Sequence, residues 1–439
     1  MFDYAKLMIP AYDPVVLNLS LHDVDTNTTA DLPAEIKTYY QDELIYAAEP
    51  KLYYQQFGLK ANIPAGRGKT AEWRKPTPYA KALTALTEGV TPVGHSIDVQ
   101  TVTVEVDQYG DFGKISDMLK VTALDNIIIM ETRLQGSQAG RTLDTVVREV
   151  VTAGSQKLFA PIVGEDGEET PVLLREDITE GCYLTSDLLN KGCAVLETNN
   201  ADGIDGEEYV AIVHTDIWRE LMREPDWIDA AKYQGVKEIF NGERGMIGNL
   251  RFVASSEAKI IGPAEMLGIP GYTRTELYAA TTGSSKDIYP KKPFSVAVAA
   301  EVTARINAGA EYKIYVDGEE YTVASVTGGD IGVCKITMTE NVAAAEAGSM
   351  VCGTGAGKDG SAIYCTMLIG SGAYGVTEIE GLGLEHIVKP LGSGGTSDPL
   401  NQRATIGWKA TAAAVRLVEE NMIRLEHTSK WFRLQRNSN

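Results

Sequence analysis

Several short stretches of the sequence contain residue types that could carry chemistry, but each departs from the spacing that the chemistry needs. A phosphate-binding P-loop requires G-x-x-x-x-G-K-[ST], because glycine amides wrap the phosphate while the lysine reaches it. Gly68-Lys69-Thr70 ends correctly, yet Ile63 stands where the first glycine is required. Gly357-Lys358 has Cys352 at that position. The sequence therefore does not predict a nucleotide site.

Patterns for nucleophilic catalysis and for metal binding are also missing. No G-x-S-x-G elbow occurs, although an α/β-hydrolase needs one to expose its serine. The five histidines are scattered, whereas metal ligands usually include a close pair. Two acidic loops, 165–169 and 202–208, lack the calcium-loop spacing and are interpreted as solvated hairpin tips. We expect no enzyme activity, no cofactor and no metal.

Composition places the chain among acidic globular proteins. Its 439 residues include 40 Lys and Arg against 60 Asp and Glu, a net charge of −20. This charge excludes a chain-wide basic footprint for nucleic acid, because phosphate contacts need surplus cations; a local basic patch stays possible. Five cysteines without a C-x-x-C pair favour reduced thiols in a cytoplasm. We expect neither a secretory signal nor a membrane span, since no apolar run approaches about 18 residues.

The predicted helices and strands, which must position any functional residue, follow an α+β pattern. A helix is predicted at 125–152, capped by Asp125, with Leu134, Leu143 and Val147 on its apolar face and Arg148 on its polar face. At 1.5 Å per residue it would be about 40 Å long. Strands are predicted at 97–109 (ended by Gly110-Asp111), 210–213, 252–254, 311–316, 319–326, 331–338, 404–417 and 422–426. Asp317-Gly318 predicts a hairpin turn, and Thr215 or Asp216 is expected to cap a helix.

Three parts of the chain do not suit a self-contained domain. Residues 1–32 are polar and irregular, and suggest an extended arm or a mobile terminus. A helix predicted at 33–57 carries five tyrosines, Tyr39 and Tyr53 among them; it is either a core helix or has a second face that meets another chain. Residues 59–98 show no core periodicity. That segment is either disordered or a hairpin whose partner lies on another subunit.

The segment 59–98 carries the cations that we expect at subunit contacts, Arg67, Lys69, Arg74 and Lys75. Their alternative interpretation is a solvated charged loop. Residues 403–439 hold seven basic and three acidic residues, a local charge of 7 − 3 = +4. These charges either touch DNA or discourage pairing at strand edges. Extended elements that cannot satisfy themselves imply neighbours, and repeated neighbours imply an assembly.

Several stretches, in this order along the chain, resemble the N4-like major capsid protein family of tailed bacteriophages. They lie at 48–58, 86–92, 105–117 and 139–144, and include Lys69-Thr70-Ala71-Glu72-Trp73-Arg74, Gly372-Ala373-Tyr374-Gly375-Val376, Val388-Lys389-Pro390-Leu391-Gly392-Ser393-Gly394-Gly395, the run from Asp398 to Arg403, and Gly407-Trp408-Lys409. The resemblance covers about 33–260 and 361–428. It does not cover 266–360, which looks like an extra β domain.

The resemblance implies the Hong Kong 97-type capsid fold. In that fold, 1–58 would be an N-terminal arm, 59–98 an extended loop over the neighbouring subunit, and 99–175 a peripheral domain with the 125–152 spine helix. Residues 176–265 and 361–385 would form an axial domain, interrupted by the inserted β-rich domain 266–360. Residues 386–439 would supply peripheral return strands and a tail.

The function implied is that of a major capsid protein, which self-assembles as hexamers and pentamers into the icosahedral head shell around double-stranded DNA. Implied partners are many copies of itself, a portal, and scaffolding and decoration proteins, with the DNA enclosed rather than tightly bound. Such a protein would assemble in the bacterial host cytoplasm and reside in the virion. The alternative is a protein-cage subunit of the encapsulin type that encloses an enzyme cargo. A soluble hydrolase or transferase is disfavoured by the missing motifs.

Overall fold

The computed structural model describes residues 53–439 except 78, 87, 89–90, 92–93, 123–126, 165, 167, 205, 207, 226, 228–242, 390 and 395–397. Most of the helix predicted at 33–57, together with Tyr39, lies outside the described residues. Within them the α-helices are α1 (Asp117–Thr122), α2 (Ile127–Thr152), α3 (Ser186–Thr198), α4 (Thr215–Leu221) and α5 (Val296–Asn307).

Strands outnumber helices among the described residues, and the predicted α+β class is confirmed. In chain order they are β1 (Leu59–Ile63), β2 (Thr70–Pro76), β3 (Val99–Glu105), β4 (Asp107–Ser116), β5 (Lys157–Phe159), β6 (Ile162–Val163), β7 (Glu169–Thr170), β8 (Tyr209–His214), β9 (Glu243–Ile247), β10 (Leu250–Ser255), β11 (Ile260–Ile261), β12 (Arg274–Glu276), β13 (Thr281–Thr282), β14 (Asp287–Ile288), β15 (Lys313–Val316), β16 (Glu319–Thr327), β17 (Lys335–Met338), β18 (Ala344–Ala345), β19 (Met350–Gly353), β20 (Ile363–Ile369), β21 (Tyr374–Ile379), β22 (Glu385–Lys389), β23 (Arg403–Arg416) and β24 (Met422–His427).

The chain divides into two compact units, and the smaller one contains 111–134 and 386–407. Its apolar core joins Ile115 and Leu119 to Ala404 and Ile406. The turn before β23 is fixed by Asp398, whose carboxylate accepts the backbone N–H groups of Gln402 (3.1 Å) and Arg403 (2.9 Å).

The larger unit is built on a sheet in the order β5-β24-β20-β8-β10-β9. Every residue of β8, β10, β20 and β24 is buried. Alternate residues of β8 enter two different cores: Ala211 faces one, and Ile212 the other. A strand covered on both faces must be apolar throughout, which explains the unbroken apolar run that predicted β8.

Helices cover both faces of this sheet. Leu188 and Leu196 of α3 and Ile217 of α4 belong to one core, while Val147 and Val151 of α2 belong to the other. Helix α3 comes so close at Gly192 that a Cβ there would lie 2.5 Å from the side chain of Leu368. Burial of each such side chain contributes about 1.5–3 kcal/mol.

A buried ion-pair cluster ties β24 to Arg175, which lies in a short helical turn at 175–177. Glu426 on β24 is fully buried and accepts bonds from the Arg175 guanidinium at 2.6 and 2.7 Å and from Arg424 Nε at 2.7 Å. Burial by itself would raise the pKa of Glu426, but the two guanidinium groups outweigh it and hold that pKa below its ordinary value. Removing one member of such a cluster leaves an uncompensated buried charge.

A separate core lies within 266–353, where the extra β domain is expected. Its sheet runs β12-β19-β15-β16-β17-β14, and α5, capped by the Ser295 hydroxyl, packs against β16. Apolar residues such as Ile314, Val323 and Val302 fill this core. The hairpin turn predicted at Asp317-Gly318 is confirmed, with φ of 49° and 85° at the two residues. We call this part the inserted module.

Several local predictions are wrong for identifiable reasons. The strand predicted at 97–109 is two strands, because Val106 turns inward and donates its N–H to the Lys69 carbonyl. Gly110 does not end β4; it permits close pairing, since a Cβ there would lie 2.7 Å from the Trp408 carbonyl oxygen. The strand predicted at 331–338 begins only at Lys335.

Two further corrections concern polar contacts. His214, rather than Thr215 or Asp216, caps α4, with Nδ1 accepting the Asp216 N–H at 3.1 Å. Arg148 is buried rather than solvated, because the carbonyls of Glu257 (2.6 Å) and Asn439 (2.9 Å) accept its N–H groups. Leu134, predicted on the apolar face of α2, is exposed.

Asp144 on α2 is buried and anchors the start of the described chain. Its Oδ1 accepts the Tyr54 N–H at 2.8 Å, and the Tyr374 hydroxyl donates to the Tyr54 carbonyl at 2.6 Å. Burial raises the pKa of Asp144 from 3.8 to about 6, against the lowering effects of the Tyr54 N–H and Arg148. Because the folded-state pKa is the higher one, this carboxyl favours folding below pH about 4. That contribution is lost as the pH rises through about 6.

We predict that Asp144→Asn removes this pH dependence, since asparagine keeps an oxygen acceptor but does not ionise. The unfolding free energy of the variant should rise relative to the original chain by about 2 kcal/mol between pH 4 and pH 7. Urea unfolding at both pH values measures the difference. A difference that stays constant with pH would contradict the prediction.

Candidate assembly surface

Strands β2 and β3 form an antiparallel hairpin with a fixed base. The pairing runs from Thr70 opposite Glu105 to Pro76 opposite Val99. At the base, Ala71 and Val106 pack with Ile63 of β1 and Ala413 of β23. The indole of Trp73 lies on Gly375, where a Cβ would come within 2.7 Å of the ring. Glycine at 375 is thus required for the indole to seat on β21.

The distal part of the hairpin is in water. Every described residue from 79 to 101 is exposed. Among them are five large apolar side chains, and Leu83 and Leu86 are 86% and 79% exposed. The others are Tyr79, Ile97 and Val99. We call residues 77–101 the arm. Its two ends are joined by Thr77, which bonds to Asp98 through both backbone (2.9 Å) and side chain (3.1 Å).

Five exposed large apolar side chains within one segment indicate a binding surface, because soluble monomers seldom leave much large apolar side-chain area in water. In the sequence, the segment 59–98 stands out for its cations and its lack of core periodicity. Leu83, Leu86 and Ile97 have no helical or strand periodicity, so their spacing gave no signal. What identifies them is exposure, which only the structure reports.

The structure distinguishes in part between the two alternatives for residues 59–98, a disordered segment and a hairpin whose partner lies on another subunit. Thr70–Glu105 contains a paired hairpin, as one alternative predicts. Leu59–Ile63, however, does not need another subunit, since β1 pairs in parallel with β21 of its own chain.

Three of the four predicted contact cations pair within the chain. Lys69 forms an ion pair with Glu105, Arg74 Nε lies 2.9 Å from Glu72, and Lys75 Nζ lies 3.5 Å from Glu420. Arg67 is exposed at the turn before β2 and forms no ion pair with another described residue. All the pairs keep exposed partners, so each contributes little to stability and leaves the side chain accessible. Their role in subunit contacts stays a prediction.

Tyr53, the other described contact candidate, is half-buried and packs on the core of α2 and β21. Burial raises the pKa of its phenol. Part of the Tyr53 ring is therefore in the core, as the core-helix alternative predicts. The rest of the ring stays accessible. Residues 53–57 form a turn rather than the end of a helix.

The basic residues of 403–439 are mostly neutralised inside the chain. Ion pairs join Lys409 to Glu385 (3.0 Å), Arg416 to Glu419 (2.8 Å) and Arg424 to Glu426 (2.7 Å). Arg433 and Arg436 likewise pair with Asp359 and Asp216. A residue already paired offers less to a DNA phosphate, so the local charge of +4 does not amount to a free basic patch.

Sites for other chemistry do not stand out in the part of the chain that the structure describes. No cluster of three His, Cys, Asp or Glu side chains there could hold a metal ion, and no helix there has the length and apolarity to cross a membrane. His427 is fully buried against Thr366, and burial lowers its pKa to about 4. All five cysteines are buried and unbonded to one another.

Comparisons with known proteins give distant structural matches alone. No family model matches the chain, and neither does any curated protein. Among solved structures, the chain is similar to the capsid of cyanophage P-SCSP1u (11% identity, 87% of this chain and 88% of that one, TM-score 0.46), to that of cyanophage Pam1 (9%, 96% and 100%, 0.49) and to that of Ralstonia phage GP4 (12%, 93% and 99%, 0.48). All three are phage capsids, as the resemblance predicts. At these TM-scores the likeness carries no argument by itself.

We predict that Leu83→Asp combined with Leu86→Asp abolishes self-association but not folding. Each buried leucine contributes about 1.5–3 kcal/mol to a contact, so the associated fraction should fall at least about tenfold. The unfolding free energy should change by no more than about 0.5 kcal/mol, because both side chains are in water in the single chain. Sedimentation velocity and urea unfolding measure the two quantities.

Leu173→Asp is the matched control, because Leu173 is equally exposed (80%) but lies outside the arm. An equal loss of association in this control would show that the arm has no special role.

Proposed function

We propose that this chain is a major capsid protein, the subunit of a closed icosahedral shell around the double-stranded DNA of a tailed bacteriophage. The observation that carries the proposal is the arm. Its described residues between 79 and 101 are all exposed, they include five large apolar side chains, and the hairpin base is fixed by Trp73 on Gly375. A rigidly based apolar arm serves a protein that binds copies of itself.

Assembly by such arms explains how modest contacts build a stable shell. Specific interfaces usually bury about 1,200–2,000 Å² in total. A subunit in a shell has several neighbours, so the arm needs to supply only part of the association energy. Hexamers and pentamers of one subunit are the proposed arrangement, because pentamers close an icosahedral shell and hexamers enlarge it. A portal, scaffolding protein and decoration protein are proposed as further partners.

The proposed division of the chain follows the resemblance. Most of the arm (77–98) belongs to the extended loop 59–98, α2 is the spine helix of a peripheral domain 99–175 continued by 386–439, and β8, β10 and β20 belong to an axial domain, 176–265 with 361–385. Residues 1–58 are the N-terminal arm, and 266–360 the insertion. Support for the insertion comes from its separate apolar core.

The acidity of the chain suits a container wall. With a net charge of −20 and the 403–439 cations largely paired, the chain offers few free cations to phosphates. DNA would therefore be enclosed without being gripped, which favours packing and release.

We predict that the purified protein forms closed shells. Negative-stain microscopy should show uniform hollow particles, and sedimentation should show a species far larger than a small oligomer. The contents of particles from infected cells separate the two container functions: DNA supports the capsid, whereas an enzyme cargo supports an encapsulin-type cage. A compact monomer that never associates would refute both.

We further predict that Arg74→Glu with Lys75→Glu impairs assembly more than folding. Loss of their exposed ion pairs should lower the unfolding free energy by no more than about 1 kcal/mol each, while like charges should now meet on the neighbouring acidic subunit. The fraction of protein in shells and the urea midpoint report the two effects. Lys313→Glu, at an exposed lysine outside the extended-loop segment 59–98, serves as control. Normal shells from the double variant would disprove the role of these cations.

A further inference from the structure

The segment after β24, residues 429–439, is held by the side chains of two different parts of the larger unit. We call it the strap. Its first residues are bound by Glu220 on α4, whose carboxylate accepts the Ser429 hydroxyl (2.5 Å) and the N–H groups of Lys430 (3.0 Å) and Trp431 (3.3 Å). Arg223, just beyond α4, lies over the Trp431 ring at 4.6 Å.

A second contact between the strap and α4 is made by a side chain of the strap. The guanidinium of Arg436 makes two parallel bonds to the Asp216 carboxylate, at 2.8 and 3.0 Å. Asp216 is nearly buried and also accepts the Tyr364 hydroxyl of β20 at 3.1 Å. A bidentate pair to a desolvated carboxylate is among the stronger side-chain interactions in proteins.

The inserted module also binds the strap, through one arginine. Arg274 on β12 donates to the carbonyls of Leu434 (2.9 Å) and Arg436 (2.5 Å) and to the Asn437 side-chain oxygen (3.1 Å). A further bond goes to the Gly360 carbonyl at 2.6 Å. Nearly all N–H donors of the Arg274 side chain therefore bond either to the strap or to Gly360, in the connection that follows the module.

Both chain connections of the module also touch the strap. On the side that leads in, the Gly262 N–H donates to the Ser438 hydroxyl at 2.9 Å. On the side that leads out, the Ala362 N–H donates to the Arg433 carbonyl (2.7 Å), and Arg433 pairs with Asp359 at 3.0 Å. A module joined to a core by two connections alone is free to swing, unless a third contact holds it.

We propose that the strap sets the orientation of the inserted module relative to the β8–β20 core, with Arg274 as its hold on the module and Arg436 as its hold on the core. Releasing either hold frees the module to swing as a body while its own fold persists. The role is intrachain and does not depend on the proposed shell function, so either idea can fail alone.

Arg274→Ala and Arg436→Ala, each in the full chain, test the proposal. Spin labels at Glu311→Cys on the module and Asn190→Cys on α3 report orientation, because both positions are exposed and the five native cysteines are buried. Dilution with unlabelled protein removes distances between copies. Hydrogen exchange of 429–439 and of β15 and β16 is followed in the same variants.

In both variants we expect a broader distance distribution, at least tenfold faster exchange in 429–439, and unchanged protection of β15 and β16. The control is Arg305→Ala, whose contacts with Glu301 and Gly268 lie inside the module, and it should change none of the three. An unchanged distance distribution would overturn the proposal. Loss of protection across β15 and β16 would overturn it too, because Arg274 would then maintain the module's fold rather than its orientation.

Discussion

A thin hairpin cannot bury its own apolar side chains, and the rest of this structure is arranged around that constraint. Leu83 and Leu86 lie in the connection between β2 and β3, where no described residue forms a helix or strand, and both side chains are exposed. In one chain these side chains stay in water at a cost in free energy. This free-energy cost is removed only when another surface covers the two side chains.

The base of the hairpin limits where such a surface can lie. Trp73 seated on Gly375, and Ala71 packed with Ile63 and Ala413, join the hairpin to a sheet of the larger unit. In the same unit, the sheet that contains β8 and β20 is covered on both faces and carries the buried Glu426 cluster. A rigid base reduces the conformational entropy that association would otherwise have to remove. The hairpin is therefore ordered at one end in the single chain.

Charge acts differently in this chain than composition suggests. The net charge of −20 opposes close approach between copies, and three of the four cations predicted at subunit contacts pair with carboxylates of the same chain. The large apolar side chains of the arm, in contrast, stay exposed in the single chain. The strap shows the same use of charge within one chain: Arg274 of the inserted module and Arg436 of the tail hold two parts of one molecule together.

The sequence by itself determined the α+β class, the long helix α2, the buried strand β8, the Asp317-Gly318 turn and the separate β-rich character of 266–353. These follow from local periodicity and turn chemistry, which act between residues close along the chain. Tertiary structure alone decided the split at Val106, the burial of Arg148, the cap by His214 and the exposure of Leu83 and Leu86. Each depends on a partner far away in sequence or on the lack of one, such as the Glu257 carbonyl that accepts from Arg148. No local pattern encodes such a partner, because hydrogen bonding and burial are settled by what the whole fold brings near.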